Sequence, residues 1–245
     1  MRLRYRHAGS AMGPFWLFLS PLLQVAVYAI VFSKIMEARI EAPAGMTFSF
    51  TLYLCAGLMP WQAFSEQISR SQSLILRHAA DILDTALPED LILLREALES
   101  YILSLLYILL VLALSLLMGG SPNASWLLLP AITFLLTMFA LGLGAIASVL
   151  LVLVRDLGPM IEVGLRLWFW ATPIVYVVSI LPDWMQDVVR WNPMLPYIEA
   201  IRNTVLYGHS PAGVDWLAMS SIALACVLAG FSFLRYLRDD FRDVL

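Results

Sequence analysis

The chain has 245 residues, 61% hydrophobic and 13% charged, with a net charge of −3. That apolar content is well above the roughly 45–50% of a soluble domain, so an integral membrane protein is expected and a soluble globular class is excluded. The arginines are scattered through short loops, which leaves no basic face for nucleic acid.

A bilayer core about 30 Å thick needs about 20 apolar residues per helix, and charge-free windows of that length mark six spans in an all-α integral membrane protein formed as one transmembrane domain over 1–245. The opening "MRLRYRHAGSAMGPFW" is basic, but the apolar run behind it outlasts the roughly 7–15 residues of a signal-peptide core and ends without a small-x-small cleavage site. It is expected to be retained as the first span, 14–32. Along that span Trp16, Ser20, Gln24, Tyr28 and Phe32 recur on one slowly drifting face. Such a face either packs through interhelical hydrogen bonds or lines a path for a hydroxyl-rich substrate.

The second span covers 46–65 and is followed by "EQISRSQSLILRHAADILDTALPEDLILLREALES", 66–100. Leu74, Ile75, Ile82, Leu83, Leu87, Leu91 and Leu94 recur there at roughly helical spacing among charges, which predicts amphipathic helices broken near Pro88. These either lie on the headgroups or form a docking surface for a soluble partner. The third span, 101–118, leads through the uncharged turn "MGGSPNAS" to the fourth, 126–154, where Ala140, Gly144 and Ser148 form a small-xxx-small packing face.

Only Arg155 and Asp156 separate the fourth span from the fifth, 157–181. Within the fifth, Glu162 and Arg166 are spaced to pair one turn apart as an intramembrane ion pair, either structural or functional. Trp168, Phe169 and Trp170 could stack on sugar rings or fill the core, and Pro173 after Thr172 predicts a kink or break at mid-membrane. Irregular backbone at that depth is tolerated only where protein or a water-filled cavity surrounds it. An external segment, 182–202, with Trp184, Trp191, Pro193, Pro196 and Tyr197, reads as short helices dipping into the outer interface. The sixth span is 214–234.

Placing both termini in the cytoplasm puts most arginines inside and leaves Lys34, Arg39, Arg190 and Arg202 outside, in keeping with the arginine bias of short inner loops. Cys55 and Cys226 fall in apolar runs as packing residues. No G-x-x-x-x-G-K-[ST] loop is present and the lone lysine is Lys34; His7, His78 and His209 show no metal spacing, and G-x-S-x-G is absent. Catalysis by this chain is not expected, nor a bound metal or cofactor.

The segment "VRDLGPMIEVGLRLWFWATPIVYVVSILPDW" followed by "WNPMLPYIEAIR" resembles the signature of ABC-2 type permeases that export polysaccharides. "YRHAGSAMGPFWLFLSPLLQVAVYAIVFSKIM", "YLCAGLMPWQAFSEQISRSQSLI" and "DTALPEDLILLREAL" resemble its other motifs in the right order. Within that family the likeness is to the transmembrane subunit of O-antigen exporters. The resemblance implies the ABC-2 (type V) exporter fold and a homodimer in the bacterial cytoplasmic (inner) membrane. It also implies two P-loop ATPase subunits that supply ATP and Mg, and a lipid-linked polysaccharide as substrate.

The same resemblance makes Trp16, Gln24, Tyr28, Trp168, Phe169, Trp170 and Tyr176 expected contacts of the moving glycan, with Thr172 and Pro173 as hinge. It sets 66–100 as the region that couples to the ATPase, through Arg77, Leu83, Asp84, Pro88 and Glu89, and 182–202 as external gate helices. The short N-terminus leaves little of the amphipathic helix that many relatives place before the first span, and "DILDTALPED" predicts an acidic coupling surface with a basic partner. The alternatives are an ABC-2 exporter of capsule, teichoic acid, a small lipid or a drug, or, from another class, an ATPase-independent flippase or intramembrane enzyme.

Overall fold

A computed structural model describes Leu23, residues 50–85 and residues 88–238, and every described element is helical. The first span, and with it Trp16, Gln24 and Tyr28, lies outside the described residues.

Helix α1, Phe50–Ser71, is buried on nearly all sides, as expected of a helix at the centre of a bundle. It packs on three helices: α4, Glu89–Leu117; α5, Leu129–Leu153; and α8, Leu195–Leu206. Between α1 and α4 lie two short helices, α2, Leu74–Arg77, and α3, Ala79–Thr85. A 3-10 turn, Ala124–Leu128, leads into α5. The chain continues as α6, Leu157–Ala171, a 3-10 turn at Val178–Ile180, α7, Asp183–Arg190, then α8, and α9, Gly213–Tyr236.

Among the described residues, three helical segments are long and apolar enough to cross a membrane: α4, the 3-10 turn with α5, and α9. The second of these is the pole of the fold, with 72% of its most apolar window buried against 39% for α4 and 22% for α9. Its contact with α9 is backbone on backbone. A Cβ on Gly142 would collide with the main chain of Cys226, and one on Gly230 with the Gly142 carbonyl. The small face expected on the fourth span thus extends to Gly142, while Gly144 faces Ser71 of α1. After α4, Gly119 takes a φ of 88° and Gly120 N–H reaches the Ser115 carbonyl at 2.8 Å. This is a Schellman closure that ends the helix where the left-handed residue must be glycine.

Several boundaries differ from the sequence reading for a common reason: charges that look like loop are neutralised inside helices. The second span does not stop at Ser65 but runs to Ser71, because Arg70 is joined to Glu66 at 3.3 Å, to Glu96 at 2.9 Å and to Ser100 at 2.9 Å. Likewise α4 begins at Glu89 rather than at Tyr101, so the expected coupling region divides among α1, α2, α3 and the first turns of α4. In the fifth span the helix ends at Ala171, at the break expected from Pro173. Not all of the external segment is interfacial. α7 is, with Trp184 and Trp191 exposed, but in α8 Tyr197, Ile198 and Ile201 are fully buried, with Tyr197 Oη donating to the Met219 carbonyl at 2.6 Å.

Gly142→Val is expected to destabilise the protein by about 3 kcal/mol, the upper end for overpacking, because the opposing atoms are backbone and cannot rotate away. Thermal unfolding followed by size-exclusion chromatography in detergent measures it, with Gly164→Ala as control, since a Cβ there meets nothing.

Candidate functional site

A groove of about 470 Å³ runs between α1 and α6, lined by Trp61, Gln62, Ser65, Glu66, Ser69, Glu162, Leu165, Arg166, Phe169 and Trp170. Its two walls follow from helical spacing. On α1, Gln62, Ser65, Glu66 and Ser69 are partly exposed positions on one side of a mostly buried helix. On α6, Glu162, Arg166 and Trp170 recur every fourth residue and so share a face. The floor is braced from below: Glu66 accepts from Arg70 at 3.3 Å and from the Tyr107 hydroxyl at 3.0 Å. Hydroxyls, carboxylates and a guanidinium thus alternate with aromatic rings, a lining suited to a hydroxyl-rich, partly apolar ligand such as a sugar. Among the described residues no cluster of three His, Cys, Asp or Glu side chains is placed to hold a metal.

The expected pairing of Glu162 with Arg166 is not what the structure shows. Glu162 Oε1 accepts from Gln72 Nε2 at 2.8 Å, and the ion pairs of the described residues do not include Glu162 with Arg166. A buried amide offered across the helix interface replaces the local partner.

The aromatic triplet divides. Trp170 is exposed and Phe169 is buried with its edge at the groove. Trp168, expected on the glycan path, is instead a packing residue: its ring meets Trp61, Phe64 and Phe139 edge-on at 5.4–6.1 Å. Its indole N–H donates to Asn192 Oδ1 at 3.0 Å. Tyr176 lies beyond the break, donating its hydroxyl to the Trp170 carbonyl at 3.2 Å.

The break itself is heavily supported. Thr172 and Pro173 are buried, and Thr172 Oγ1 donates to the Trp168 carbonyl at 2.8 Å. Asn192 Nδ2 donates to Thr172 Oγ1 at 2.8 Å and to the Ala171 carbonyl at 3.2 Å. The next carbonyls fall to Arg202, which the sequence placed among exterior charges but which is 5% exposed. Its Nη1 donates to the Pro173 carbonyl at 2.7 Å and its Nη2 to that of Ile174 at 2.6 Å. The guanidinium also donates to the Tyr53 hydroxyl at 2.9 Å and lies 3.7 Å over that ring. It fits because position 57 lacks a side chain: a Cβ on Gly57 would sit 2.5 Å from Nη2.

Of the expected coupling residues, Leu83 and Pro88 are exposed. Arg77 is exposed but spends its donors on the Arg70 and Ser73 carbonyls at 2.7 and 3.3 Å. The Asp84 side chain lies outside the described residues. Glu89 is fully buried and paired with Arg238 at 2.9 Å, while Asp90 takes Arg235 at 3.3 Å. The acidic coupling surface expected from "DILDTALPED" is therefore partly consumed at Glu89 and Asp90 by the end of α9, and Glu89 is not a surface residue.

Residues 2–206 match the ABC-2 type transporter family. The chain belongs to that family. Among curated ABC-2 relatives, it is 29% identical to an O-antigen export system permease protein RfbA of Klebsiella pneumoniae, over 99% of this chain and 91% of that one. It is 27% identical to an O-antigen export system permease protein RfbA of Myxococcus xanthus, over 98% of this chain and 91% of the relative. A polysialic acid transport protein KpsM of Escherichia coli is 24% identical over 95% and 89% respectively. This family member is thus an integral membrane transport protein.

The α1 wall and the support of the break were missed in the sequence. The polar stripe at 62, 65, 66 and 69 was legible as spacing, whereas nothing local marks Arg202 as buried. Arg202→Met is expected to cost about 3 kcal/mol or more, because it leaves the Pro173 and Ile174 carbonyls buried without donors. A fall in unfolding temperature relative to wild type, larger than that for the exposed Arg190→Met, is the check.

Proposed function

We propose that this ABC-2 chain is the membrane subunit of an ATP-driven exporter that moves a lipid-linked polysaccharide, an O-antigen, outward across the bacterial cytoplasmic membrane. The observation that carries the reading is end-to-end similarity to O-antigen export permeases. The groove adds chemical support, since rings interleaved with hydroxyls and carboxylates hold sugars without demanding one register. Stacking of Trp170 on an apolar sugar face would let a repeating chain slide past Gln62, Ser65 and Ser69. The weaker similarity to polysialic acid transport proteins makes capsule export the second reading.

In this reading two copies of the chain enclose the path and two P-loop ATPase subunits dock from the cytoplasm, with both termini on that side. The docking surface is the exposed side of α3 and the start of α4, with Leu83, Pro88 and Leu91 outward; Glu89, held by Arg238, supports it from inside. ATP itself and its Mg would be bound by the partner. ATP-driven movement of that surface would pass through α1 to the groove, and the break after Ala171, held by Asn192 and Arg202, would anchor the far end of the α6 wall.

Tagged protein purified from its native host in mild detergent is expected to bring a stoichiometric P-loop ATPase with it and to hydrolyse ATP. A lone protein under conditions that preserve other such complexes would overturn the proposal. Trp170→Ala is expected to lower surface polysaccharide about fivefold, the equivalent of ~1 kcal/mol of aromatic contact, with the complex still assembled. By contrast, Leu83→Asp is expected to release the ATPase from the purified complex, as seen by gel.

A further inference from the structure

Helix α6 is lightly packed. Along it Leu165 and Phe169 are buried and Trp168 packs on the aromatic cluster, so over the rest of the helix polar contacts carry much of its placement. At its outer end those contacts are many: Asn192 binds Trp168, Ala171 and Thr172, and Arg202 holds the two carbonyls that follow. Toward its inner end, among the described residues, the polar side-chain contact that joins it to the rest of the fold is Gln72 Nε2 to Glu162 Oε1 at 2.8 Å.

Gln72 lies in the elbow between α1 and α2 and is 9% exposed. Its amide oxygen finds no donor, so the amide is held for the sake of the N–H it presents to Glu162. Reversing the amide would set oxygen against carboxylate. The elbow is clasped to α1 by Arg77, which donates to the Arg70 and Ser73 carbonyls, and α1 is tied there to α4 through Arg70 and Glu96. α1 is thus held by α4, and Gln72 is where the elbow grips α6.

We propose that Gln72 is a positioning residue whose hydrogen bond to Glu162 latches the inner end of α6 to this elbow, so that a displacement of the elbow is passed to the groove. The inference rests on the proposed function, in which the elbow leads into the surface that an ATPase partner pushes. With the outer end pinned, a shift at Glu162 turns α6 about the Asn192 and Arg202 contacts and changes the width between its Glu162–Arg166 wall and the Glu66–Ser69 wall of α1. A second resting place for the carboxylate is at hand. Arg166 has no ion pair or hydrogen bond among the described residues and lies one turn along the same face. Glu162 thus exchanges Gln72 for Arg166 when the latch opens, a two-state element of the kind that converts a local contact change into helix movement.

The test uses the full complex in its native host. Q72E opposes two carboxylates across the latch and is expected to lower surface polysaccharide about tenfold, the scale of one charge-assisted hydrogen bond, with the complex still assembled and still hydrolysing ATP. Adding E162Q to Q72E rebuilds the bond with donor and acceptor exchanged, and is expected to recover most of that loss, so that E162Q is beneficial only in the Q72E background. A Q72E variant that exports like wild type overturns the latch. So does a double variant no better than Q72E, or an export loss matched by an equal loss of assembled complex. A wild-type complex that hydrolyses ATP but moves no polysaccharide overturns the proposed function, and the latch with it, a result that needs no variant to be seen.

Discussion

The fold depends on a guanidinium buried where α1, α8 and the break after α6 meet. Pro173 cannot continue the helix, and the unwound carbonyls behind it need donors that no water in a bilayer core would supply. Arg202, for its part, is costly to bury unless its N–H groups are matched. Each difficulty eases the other: the carbonyls of Pro173 and Ile174 accept from the guanidinium, the Tyr53 hydroxyl and carbonyl accept two further donors, and the Tyr53 ring lies against one face. The arrangement exists only because Gly57 leaves a gap of the right depth in an otherwise closely packed helix.

From that junction the rest of the site follows. Once α6 is ended at Ala171, Asn192 can close its terminus and seize the Trp168 indole, which fixes the aromatic cluster on Trp61, Phe64 and Phe139. With Trp168 turned into the core, Trp170 and Arg166 are left on the opposite side, over the polar stripe of α1. The helix that forms one wall is therefore well fixed where it breaks and weakly buried along its length, while the other wall is part of a helix with most of its residues buried.

The sequence made the helical membrane class, the family and the break legible, because apolar run length, ordered motifs and proline chemistry are local signals. It misplaced charges. Glu66 and Arg70 read as the start of an amphipathic segment outside the span, Glu89 as a surface contact and Arg202 as an exterior charge, yet each is matched by a residue far along the chain: Tyr107, Glu96, Arg238 and the unwound carbonyls. The Glu162 pairing failed for the same reason, since helical spacing identifies the near partner, Arg166, but not the distant Gln72. Pairings between remote positions leave no periodic trace in one sequence. A charge inside or beside an apolar run therefore marks a buried contact without naming the other half.

The crossing of α5 and α9 through Gly142 and Gly230 also bears on how the protein is made. Synthesis delivers α5 into the membrane well before α9 emerges, and chains of this size fold in the order in which they appear. Until α9 arrives, the groove in α5 cut by Gly142 has only lipid against it, and no flexible acyl chain can follow a surface shaped for another backbone. The Arg235 and Arg238 contacts to Asp90 and Glu89 lie just beyond that crossing, so docking of α9 both seals α5 and neutralises the inner end of α4. The described bundle is therefore complete only once α9 has docked on α5.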